Sequence, residues 1–413
     1  MSHSGSAQAR INGPRLWDSL AVMACIGATP AGGVTRLALS EQDRQGRDLF
    51  VRWAREAGCS IRIDAMGNIF ARRAGLDETL APVLTGSHGD SQPLGGRFDG
   101  IYGVLAGLEV VRALNDAGLQ TRRPIEVVNW TNEEGSRFAP AMIGSGVACG
   151  VFDLEYGLSR TDRDGCTIGE ALQQIGYAGA GQPRLDVHAC FELHIEQGPI
   201  LESAGVTIGV VQGGQGQRWY EGSFSGQAAH AGTTPMARRR DALLGLAALS
   251  LQVHQIGLQY APQARATVGS VSLTPNSRNV VPGRSDFTVE FRHPDEAVLQ
   301  QMDQLLRVAS RDIAAQYGLR EQIEHVFSYA PVAFDATCVG QVRAAAQQLG
   351  YTHQDIISGA GHDALYVSRI APSAMIFIPC VEGLSHNEAE DILPPWCTAG
   401  GNVLLQAILS AAQ

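Results

Sequence analysis

The feature that most constrains the fold is an interruption in the pattern of predicted strands and helices. Strands alternate with helices up to about Gly213, and the same pattern resumes near Pro331. Between these points the chain predicts six elements in the order β-α-β-β-α-β, which is the split βαβ arrangement. We therefore predict an α/β domain with a mixed sheet, made of residues 1–212 and 331–413, and an inserted ferredoxin-like α+β domain of residues 213–330.

One strand of the inserted domain, residues 285–292, alternates apolar and polar side chains. Successive side chains of a strand point to opposite faces of its sheet. The apolar face carries Phe287, Val289 and Phe291, and the polar face includes Arg292. We expect the apolar face to contact the helices of this domain, which leaves the polar face free for a cleft or a partner.

In the first segment, the turn-rich stretch TGSHGDSQPLGGRFDG (85–100) follows a short apolar strand. His88 and Asp90 are two positions apart, so they share a face in an extended chain. The Gly-Gly turn before Asp99 can fold this second carboxylate back toward them. An imidazole and a returning carboxylate make half of a metal site, so the other ligands must come from elsewhere in the chain.

Further candidate ligands lie at or near the ends of predicted strands. Glu133 and Glu134 follow the apolar strand 124–130. His194 lies in the stretch FELHIEQG, and His386 lies in the loop GLSHNE. Each has an ordinary explanation alone, because single histidines are commonly satisfied core or surface residues and paired glutamates commonly form a solvated face. Their coincidence in one α/β domain, whose ligands bind at the carboxyl ends of strands, favours a shared metal site.

Imidazole nitrogen and carboxylate oxygen are ligands for borderline divalent metals such as zinc. Two metals that share one carboxylate need roughly five side chains, which leaves a position for water. The candidate set has that size, and Asp99 is suited to be the shared carboxylate. Zinc, manganese, cobalt and nickel all accept such ligands, so the set does not choose among them.

Composition argues against several classes of partner. The formal net charge is −10 and the longest basic run is residues 238–240, so we expect neither nucleic acid nor an anionic membrane as a partner. The apolar run 19–28 is about half the length that a membrane helix requires. The eight cysteines are scattered without a CxxC pair, which is typical of reduced thiols in a cytoplasmic protein.

A set of short motifs, in this order, resembles that of the N-carbamoyl-L-amino-acid hydrolases. The motifs are GSHGDS, DG, NEEGSRF, ELHIEQG, HAGTTPM, NSRNVVPG, SGAGHDA and SHNEAE, and the resemblance extends from about Gly32 to Ile392. Allantoate amidohydrolase and β-ureidopropionase belong with these enzymes in the two-metal aminoacylase and carboxypeptidase superfamily. The resemblance implies an exopeptidase-like catalytic domain and an inserted domain that serves as a lid and for dimerisation.

For the catalytic domain, the resemblance implies two divalent metal ions in each subunit, zinc or manganese first and cobalt or nickel as alternatives. The implied metal ligands are His88, Asp99, Glu134, His194 and His386. Asp99 would bridge the two metals.

The resemblance also implies the catalytic base. Glu133, the neighbour of a ligand that points away from the metals, would take a proton from the attacking water and pass it to the leaving nitrogen. The water would add to the carbonyl carbon of a ureido group. Asp90 would orient His88 as a second carboxylate behind it, although a turn-capping role is the alternative.

Six residues are implied to bind the substrate: Gln197, Arg218, His230, Asn279, Arg292 and Gly361. His230 would stabilise the oxyanion, acting in the site of the other subunit, and Asn279 would be delivered in the same way. Arg292 would clamp the substrate carboxylate through a bidentate pair, and Gln197 would contact the ureido end. Without the resemblance, Asn279 could simply shape a turn, and Arg292 could be a surface ion-pair partner.

We therefore expect a cytoplasmic homodimer that hydrolyses the ureido C–N bond of an N-carbamoyl-L-amino acid, a small molecule, to the L-amino acid, carbon dioxide and ammonia. Hydrolysis of allantoate or 3-ureidopropionate uses the same machinery and is the first alternative, followed by aminoacylase or dipeptidase activity. The alternative of another class is a catalytically silent metal-binding scaffold. Such a protein would lack the base or the bridging ligand, whereas this chain retains Glu133 and Asp99. His362 and Asp363 are ligand types as well, but the ligand set is already full without them.

Overall fold

The computed structural model describes residues 9–183 and 185–413. The chain forms two compact units. The first runs up to Gly213 and continues from Phe334 to Gln413, and the second is Gly214–Ala333. The α/β class with a mixed sheet and an α+β insertion, predicted from the order of strands and helices, is confirmed.

The strands are numbered in chain order: β1 Ser60–Ile63, β2 Ile69–Arg73, β3 Val83–His88, β4 Ile125–Trp130, β5 Ala189–Ile195, β6 Ile208–Gly214, β7 Gly216–Ser225, β8 Ala229–His230, β9 Arg265–Thr274, β10 Val280–Val281, β11 Arg284–His293, β12 Arg320–Tyr329, β13 Val332–Ala333, β14 His353–Ser358 and β15 Ser373–Ile378. The α-helices are α1 Gly13–Ala24, α2 Glu41–Glu56, α3 Ile101–Asp116, α4 Ile143–Ala148, α5 Leu154–Leu158, α6 Ile168–Ile175, α7 Ile200–Ala204, α8 Ala242–Gln259, α9 Glu296–Tyr317, α10 Ala336–Leu349, α11 Asp363–Val367 and α12 Pro394–Ala411.

The first unit is built on a mixed sheet with the strand order β1-β2-β4-β3-β5-β15-β6, and β14 pairs with β6. The central strands β4, β3, β5 and β15 are parallel to one another, whereas β2 and β6 are antiparallel to their central neighbours. Every residue of the four central strands is buried, as expected for parallel strands that are covered on both faces. Their carboxyl ends meet at one edge of the sheet, so the loops that follow these strands lie side by side.

Helices cover both faces of this sheet. The helices α1, α3, α10 and α12 contact one another and form one layer. Helix α3 lies close to the strands because Gly107 has no Cβ, which would contact Val127 of β4. The next residue of β4, Val128, points to the other face and belongs to a core cluster with Ala148 of α4 and Val367 of α11.

The second unit contains an antiparallel sheet with the order β12-β7-β11-β9. As the alternation in β11 predicts, Phe287, Val289 and Phe291 are buried in one core cluster with residues of α8 and α9. Arg292 lies on the opposite face of the sheet. A separate two-stranded ribbon pairs β8 with β10, and it places His230 opposite Val280.

Helix α8 has two apolar faces. By length and composition alone it could cross a membrane, and it is the one described helix for which this holds. However, Leu246, Leu249 and Val253 pack in the core of the second unit, as in the core helix of a globular domain. On the outer face, Leu251 is 67% exposed and Leu258 is 54% exposed.

Candidate metal centre

Two buried histidines of the first unit are held in one tautomer by the main chain. Nδ1 of His88, at the end of β3, donates to the carbonyl oxygen of Asp90 at 3.0 Å. Nδ1 of His194, in β5, donates to the carbonyl oxygen of Ile195 at 2.9 Å. In both rings Nε2 is therefore the nitrogen that faces the ligand cluster, the arrangement typical of an imidazole that binds a metal.

The carboxylate of Asp99 lies between two sets of ligand atoms. Its Oδ1 is 3.2 Å from Nε2 of His194 and 3.9 Å from Nε2 of His88. Its Oδ2 is 3.2 Å from Nε2 of His386, which is also 3.4 Å from Oε2 of Glu134. We call His88, Asp99 and His194 the first ligand group, and Asp99, Glu134 and His386 the second ligand group.

The turn that follows Asp99 depends on a glycine. Gly100 has φ +65°, in the left-handed region, and a Cβ at this position would overlap with the ring of His88. Helix α3 begins directly after it at Ile101. The glycine thus lets the chain enter α3 while Asp99 stays beside His88.

The carboxylate of Asp90 has a different partner from the one expected. It accepts the main-chain N–H groups of Glu133 at 3.2 Å and Glu134 at 3.3 Å. Its Oδ1 is 3.7 Å from Nδ1 of His88, which bonds to the main-chain carbonyl of Asp90 instead. Asp90 therefore orients His88 through its backbone and anchors the two glutamates through its side chain.

Glu133 faces the site, contrary to the expectation that it points away. Its Oε2 lies 3.4 Å from Nε2 of His88, and the residue is buried. Burial raises the pKa of Glu133 well above its usual value, and the charges of Asp363 and Glu134 add to this rise. A carboxyl group with a raised pKa beside the ligands has the property required of a general base or acid.

The electrostatics of the cluster fit bound cations. Burial raises the pKa of Glu134 to about 8, and the nearby charge of Asp99 contributes. Burial opposes the charged form of His194, but its hydrogen bond to Asp99 prevails and raises the pKa of the imidazole to about 9. Buried carboxylates that disfavour one another's charge are stabilised by a divalent cation, and the imidazole and carboxylate donors are of the right type.

Gln197 lies at the second ligand group. Its Nε2 donates to Oδ2 of Asp99 at 3.0 Å and to Oγ of Ser385 at 3.2 Å. The amide that was expected to contact the substrate therefore also contacts the shared carboxylate.

A third cluster lies behind His194 and was not expected. Glu192, His194 and His362 bring ligand-type atoms close together. Nε2 of His362 is buried without a hydrogen-bond partner among the described residues. Both ring nitrogens of His194 are already engaged, so this cluster supports the first ligand group and does not form a further metal site.

The loop that carries His362 forms the wall of this cluster. Its main chain links back to β5, because Glu192 accepts the N–H of Ala364 at 2.9 Å and the hydroxyl of Ser87 at 2.6 Å. Gly361 precedes the histidine, and a Cβ there would lie 3.1 Å from Cε of Met142. The motif SGAGHDA thus packs beside the ligands without supplying one of the two ligand groups.

Comparison with known proteins places this centre in a family. Residues 84–410 match the model of peptidase family M20/M25/M40, a span that includes both ligand groups. The chain belongs to this family. The family resemblance inferred from the ordered motifs is therefore confirmed.

Within the M20 family, the chain is similar to several amidohydrolases. The chain is 48% identical over 405 residues to the N-carbamoyl-L-amino-acid amidohydrolase of Rhizobium meliloti, covering 98% of this chain and 97% of that protein. It is 34% identical over 379 residues to the allantoate amidohydrolase of Bacillus subtilis, covering 90% and 91%. A solved amidase of the hydantoinase/carbamoylase family from Burkholderia multivorans is 63% identical, covers 98% of both chains and superposes with a TM-score of 0.95.

In the second unit of this M20 chain, His230 and Asn279 are neighbours. Nδ1 of His230 accepts the N–H groups of Gly232 at 3.0 Å and Thr233 at 3.2 Å, so the ring proton lies on Nε2. The carbonyl of Asn279 accepts the N–H of Ala231 at 2.8 Å. Both His230 and Asn279 are exposed, and His230 presents an N–H donor to its surroundings.

The two arginines that were expected to bind substrate lie on opposite faces of the second unit's sheet. Arg292 forms an ion pair with Glu290, two residues away on the polar face of β11. Arg218 pairs in register with Phe291, on the face covered by helices, and forms an ion pair with Glu296. Substrate binding by either arginine stays a prediction. Because the two side chains lie on opposite faces, a ligand on the polar face of this sheet could contact only Arg292.

Proposed function

We propose that this chain is a metal-dependent amidohydrolase that cleaves the ureido C–N bond of N-carbamoyl-L-amino acids. The observation that carries the proposal is the geometry of Asp99, which is shared by two ligand groups while Glu133 lies beside the first. The substrate class is supported by the relative from Rhizobium meliloti, which bears the name of this reaction and matches nearly the whole chain.

The M20 family and the ligand clusters support binding of divalent metal ions. Their number and identity are part of the proposal: two ions, zinc or manganese in the first place and cobalt or nickel as alternatives. One would be held by the first ligand group and the other by the second ligand group, with Asp99 between them. When bound, such ions polarise a carbonyl and lower the pKa of water.

The chain's own residues carry the proton transfers. Glu133 accepts the proton of the attacking water, whose oxygen forms a bond to the ureido carbonyl carbon. Glu133 then returns this proton to the amino nitrogen as the bond between that nitrogen and the carbon breaks. One water is consumed, and the products are the L-amino acid and carbamic acid, which decomposes to carbon dioxide and ammonia.

The exposed polar residues of the second unit supply binding groups. His230 would donate its Nε2–H to the oxyanion, a role that the bonds to Nδ1 prepare. Asn279 would add an amide, and Arg292 would hold the substrate carboxylate. In the first unit, Gln197 and the backbone near Gly361 would contact the ureido end.

We further propose a homodimer, in which His230 and Asn279 serve the site of the other subunit. Two neighbouring features support self-association of the second unit. On the outer face of α8, Leu244, Leu251 and Leu258 are exposed at seven-residue spacing, so they form one apolar stripe. The adjacent strand β9 is an edge of its sheet and contacts α8. A two-fold axis would pair both features with their own copies.

A cytoplasmic location is also part of the proposal. All eight cysteines lie among the described residues, and all of them are free thiols. Five are buried, as expected for reduced cysteines that serve as small apolar core residues. An oxidising compartment would be expected to select disulfides in a chain with this many cysteines.

Allantoate hydrolysis is the second candidate, favoured by the similarity to the Bacillus subtilis enzyme. A substrate panel separates the two. The chain, freed of metal and reconstituted with zinc, manganese, cobalt or nickel, is offered N-carbamoyl-L-amino acids, their D-enantiomers, allantoate and 3-ureidopropionate, and ammonia release is measured. We expect the highest kcat/KM for an N-carbamoyl-L-amino acid. A higher value for allantoate would replace the proposed substrate, and no turnover with any metal would support the silent scaffold.

A further inference from the structure

The side chain of Glu390 is buried beside the metal centre, although the sequence pattern did not single it out. Its Oε1 accepts the main-chain N–H groups of Phe98 and Asp99, each at 3.0 Å. Its Oε2 accepts the hydroxyl of Ser385 at 2.8 Å. One carboxylate thus ties the segment that carries Asp99 to the residue directly before His386.

Gln197 closes these contacts into a ring. Its Nε2 donates both to Oγ of Ser385 and to Oδ2 of Asp99. The ring therefore runs from Asp99 through Glu390 and Ser385 to Gln197 and back to Asp99. No member of a closed ring can move alone without breaking two hydrogen bonds, so the ring restrains the shared carboxylate at both its backbone and its side chain.

The backbone of His386 needs such a restraint. Its φ is +53°, in the left-handed region that residues other than glycine seldom adopt. Gln197, in the ring, has φ +57°. Strained residues of this kind persist only where surrounding contacts hold them. Half of the His386 side chain is exposed, and the residue before it, Ser385, is held by its hydrogen bond to Glu390.

A glycine allows Glu390 to approach so closely. A Cβ at Gly96 would overlap with the carboxyl group of Glu390. The second residue of the Gly-Gly turn therefore has a packing role beside its role in the turn. It also offers a way to displace Glu390 without removing its charge.

We propose that Glu390 is a positioning residue for the metal centre. It holds Asp99 and His386 in the relative placement that the second ligand group needs. Both ligand groups contain Asp99, but only the second contains His386, which directly follows Ser385 of the ring. We therefore expect Glu390 to affect the second ligand group more strongly. The inference rests on the proposed function, because it takes the two ligand groups to bind two metals.

The test measures metal affinity group by group. The full chain is loaded with cobalt(II), and a chelator titration is followed by cobalt absorption and by metal content. In Glu390→Ala we expect the affinity of the second ligand group to fall about 10- to 100-fold, the range for loss of a residue that orients a ligand. The affinity of the first ligand group should stay near the wild-type value. Gly96→Ala should also lower the metal affinity of the second ligand group.

Two variants separate positioning from general stability. Glu390→Gln keeps an oxygen that can accept both N–H groups, and its amide N–H can donate to Oγ of Ser385 in place of the bond that Oε2 accepts. We therefore expect it to hold both metals nearly as tightly as the wild type. Asp391→Ala removes the exposed pair between Arg97 and Asp391, which joins the same two segments at 2.9 Å, and should leave both affinities unchanged.

Two results would overturn the inference. The first is wild-type affinity of both ligand groups in Glu390→Ala. The second is an equal loss of metal affinity in both ligand groups, together with a fall in thermal stability that is the same in Glu390→Gln. That result would assign Glu390 a purely structural role. A wild-type chain that binds metal but hydrolyses no ureido substrate would contradict the proposed function while leaving this inference standing.

Discussion

Nε2 of His386 lies 3.2 Å from Oδ2 of Asp99, while Oδ1 of the same carboxylate lies 3.2 Å from Nε2 of His194. Each histidine therefore belongs to one ligand group only, and Asp99 belongs to both. We predict that His386→Ala and His194→Ala each retain one metal ion per chain, whereas Asp99→Ala retains neither. Metal content after gel filtration checks this. Loss of both ions in either histidine variant would contradict the division into two groups.

Arg47 and Asp43 form a buried ion pair near the loop that carries Glu133. Nε of Arg47 is 2.7 Å from Oδ2 of Asp43, and these side chains are 1% and 2% exposed. Nη1 of Arg47 also donates to the carbonyl of Gly67 at 2.7 Å. Because Arg47→Met leaves a buried charge unpaired, we predict that it lowers the free energy of unfolding by about 3–5 kcal/mol.

Urea denaturation of the metal-loaded chain measures this change. The matched control is Arg44→Met in the same helix, where the pair with Glu41 is exposed and should contribute little. Equal midpoints for the two variants would show that the buried pair adds nothing beyond an exposed one.

Arg292 is predicted to recognise the substrate carboxylate. Its Nε lies 2.5 Å from Oε1 of Glu290, which fixes the orientation of the guanidinium plane. Lysine cannot reproduce a bidentate pair, so Arg292→Lys should raise KM about 10- to 100-fold, as expected for loss of a hydrogen bond to a charged group. The effect should vanish for the substrate amide, which lacks the carboxylate.

Arg218 supplies the control for this prediction. Because it pairs with Glu296 on the helix-covered face, Arg218→Lys should leave KM nearly unchanged. A larger KM effect in Arg218→Lys than in Arg292→Lys would reverse the two assignments.

The homodimer predicts complementation between two inactive variants. His230→Ala lacks the proposed oxyanion donor, and Glu133→Gln lacks the base. If His230 acts in the site of the other subunit, a mixed dimer contains one site with both groups intact, so mixing should restore part of the activity. No recovery, with heterodimers demonstrated, would place His230 in its own subunit's site. Leu251→Glu, on the apolar stripe, should yield a monomer in analytical ultracentrifugation.

The fold class could be predicted because the spacing of apolar side chains distinguishes strands from helices. The alternation in β11 corresponds to buried and half-buried residues from Ser285 to His293. Helix α9 begins at Glu296 after its cap Asp295, a residue type that favours a helix start. By contrast, the apolar run 19–28 did not reveal that α1 spans Gly13–Ala24, because the start of this helix is marked only by the Asn12 cap and the proline that follows.

The ligand clusters could be predicted because parallel strands bring their carboxyl ends together, so residue types at strand ends suffice. The atoms that contact one another within these clusters could not be predicted. Sequence does not distinguish the carbonyl of Asp90 from its carboxylate as the partner of His88. The face on which Arg218 lies could have been predicted. It is an even number of positions from Tyr220 and Phe224 in the same strand, and these two residues are buried. The position of Glu390 could not be predicted, because nothing in the acidic run 388–391 marks the residue whose side chain is buried.

The proposed reaction depends most directly on Glu133. The decisive measurement compares metal content and turnover of N-carbamoyl-L-amino acid in the wild type, Glu133→Gln and Glu134→Gln. We predict that the wild type releases amino acid and ammonia in equal amounts. Glu133→Gln should keep both metals while kcat falls about 10²- to 10⁴-fold, as for loss of a general base, whereas Glu134→Gln should lose metal from the second ligand group. Unchanged turnover in metal-loaded Glu133→Gln would contradict the account.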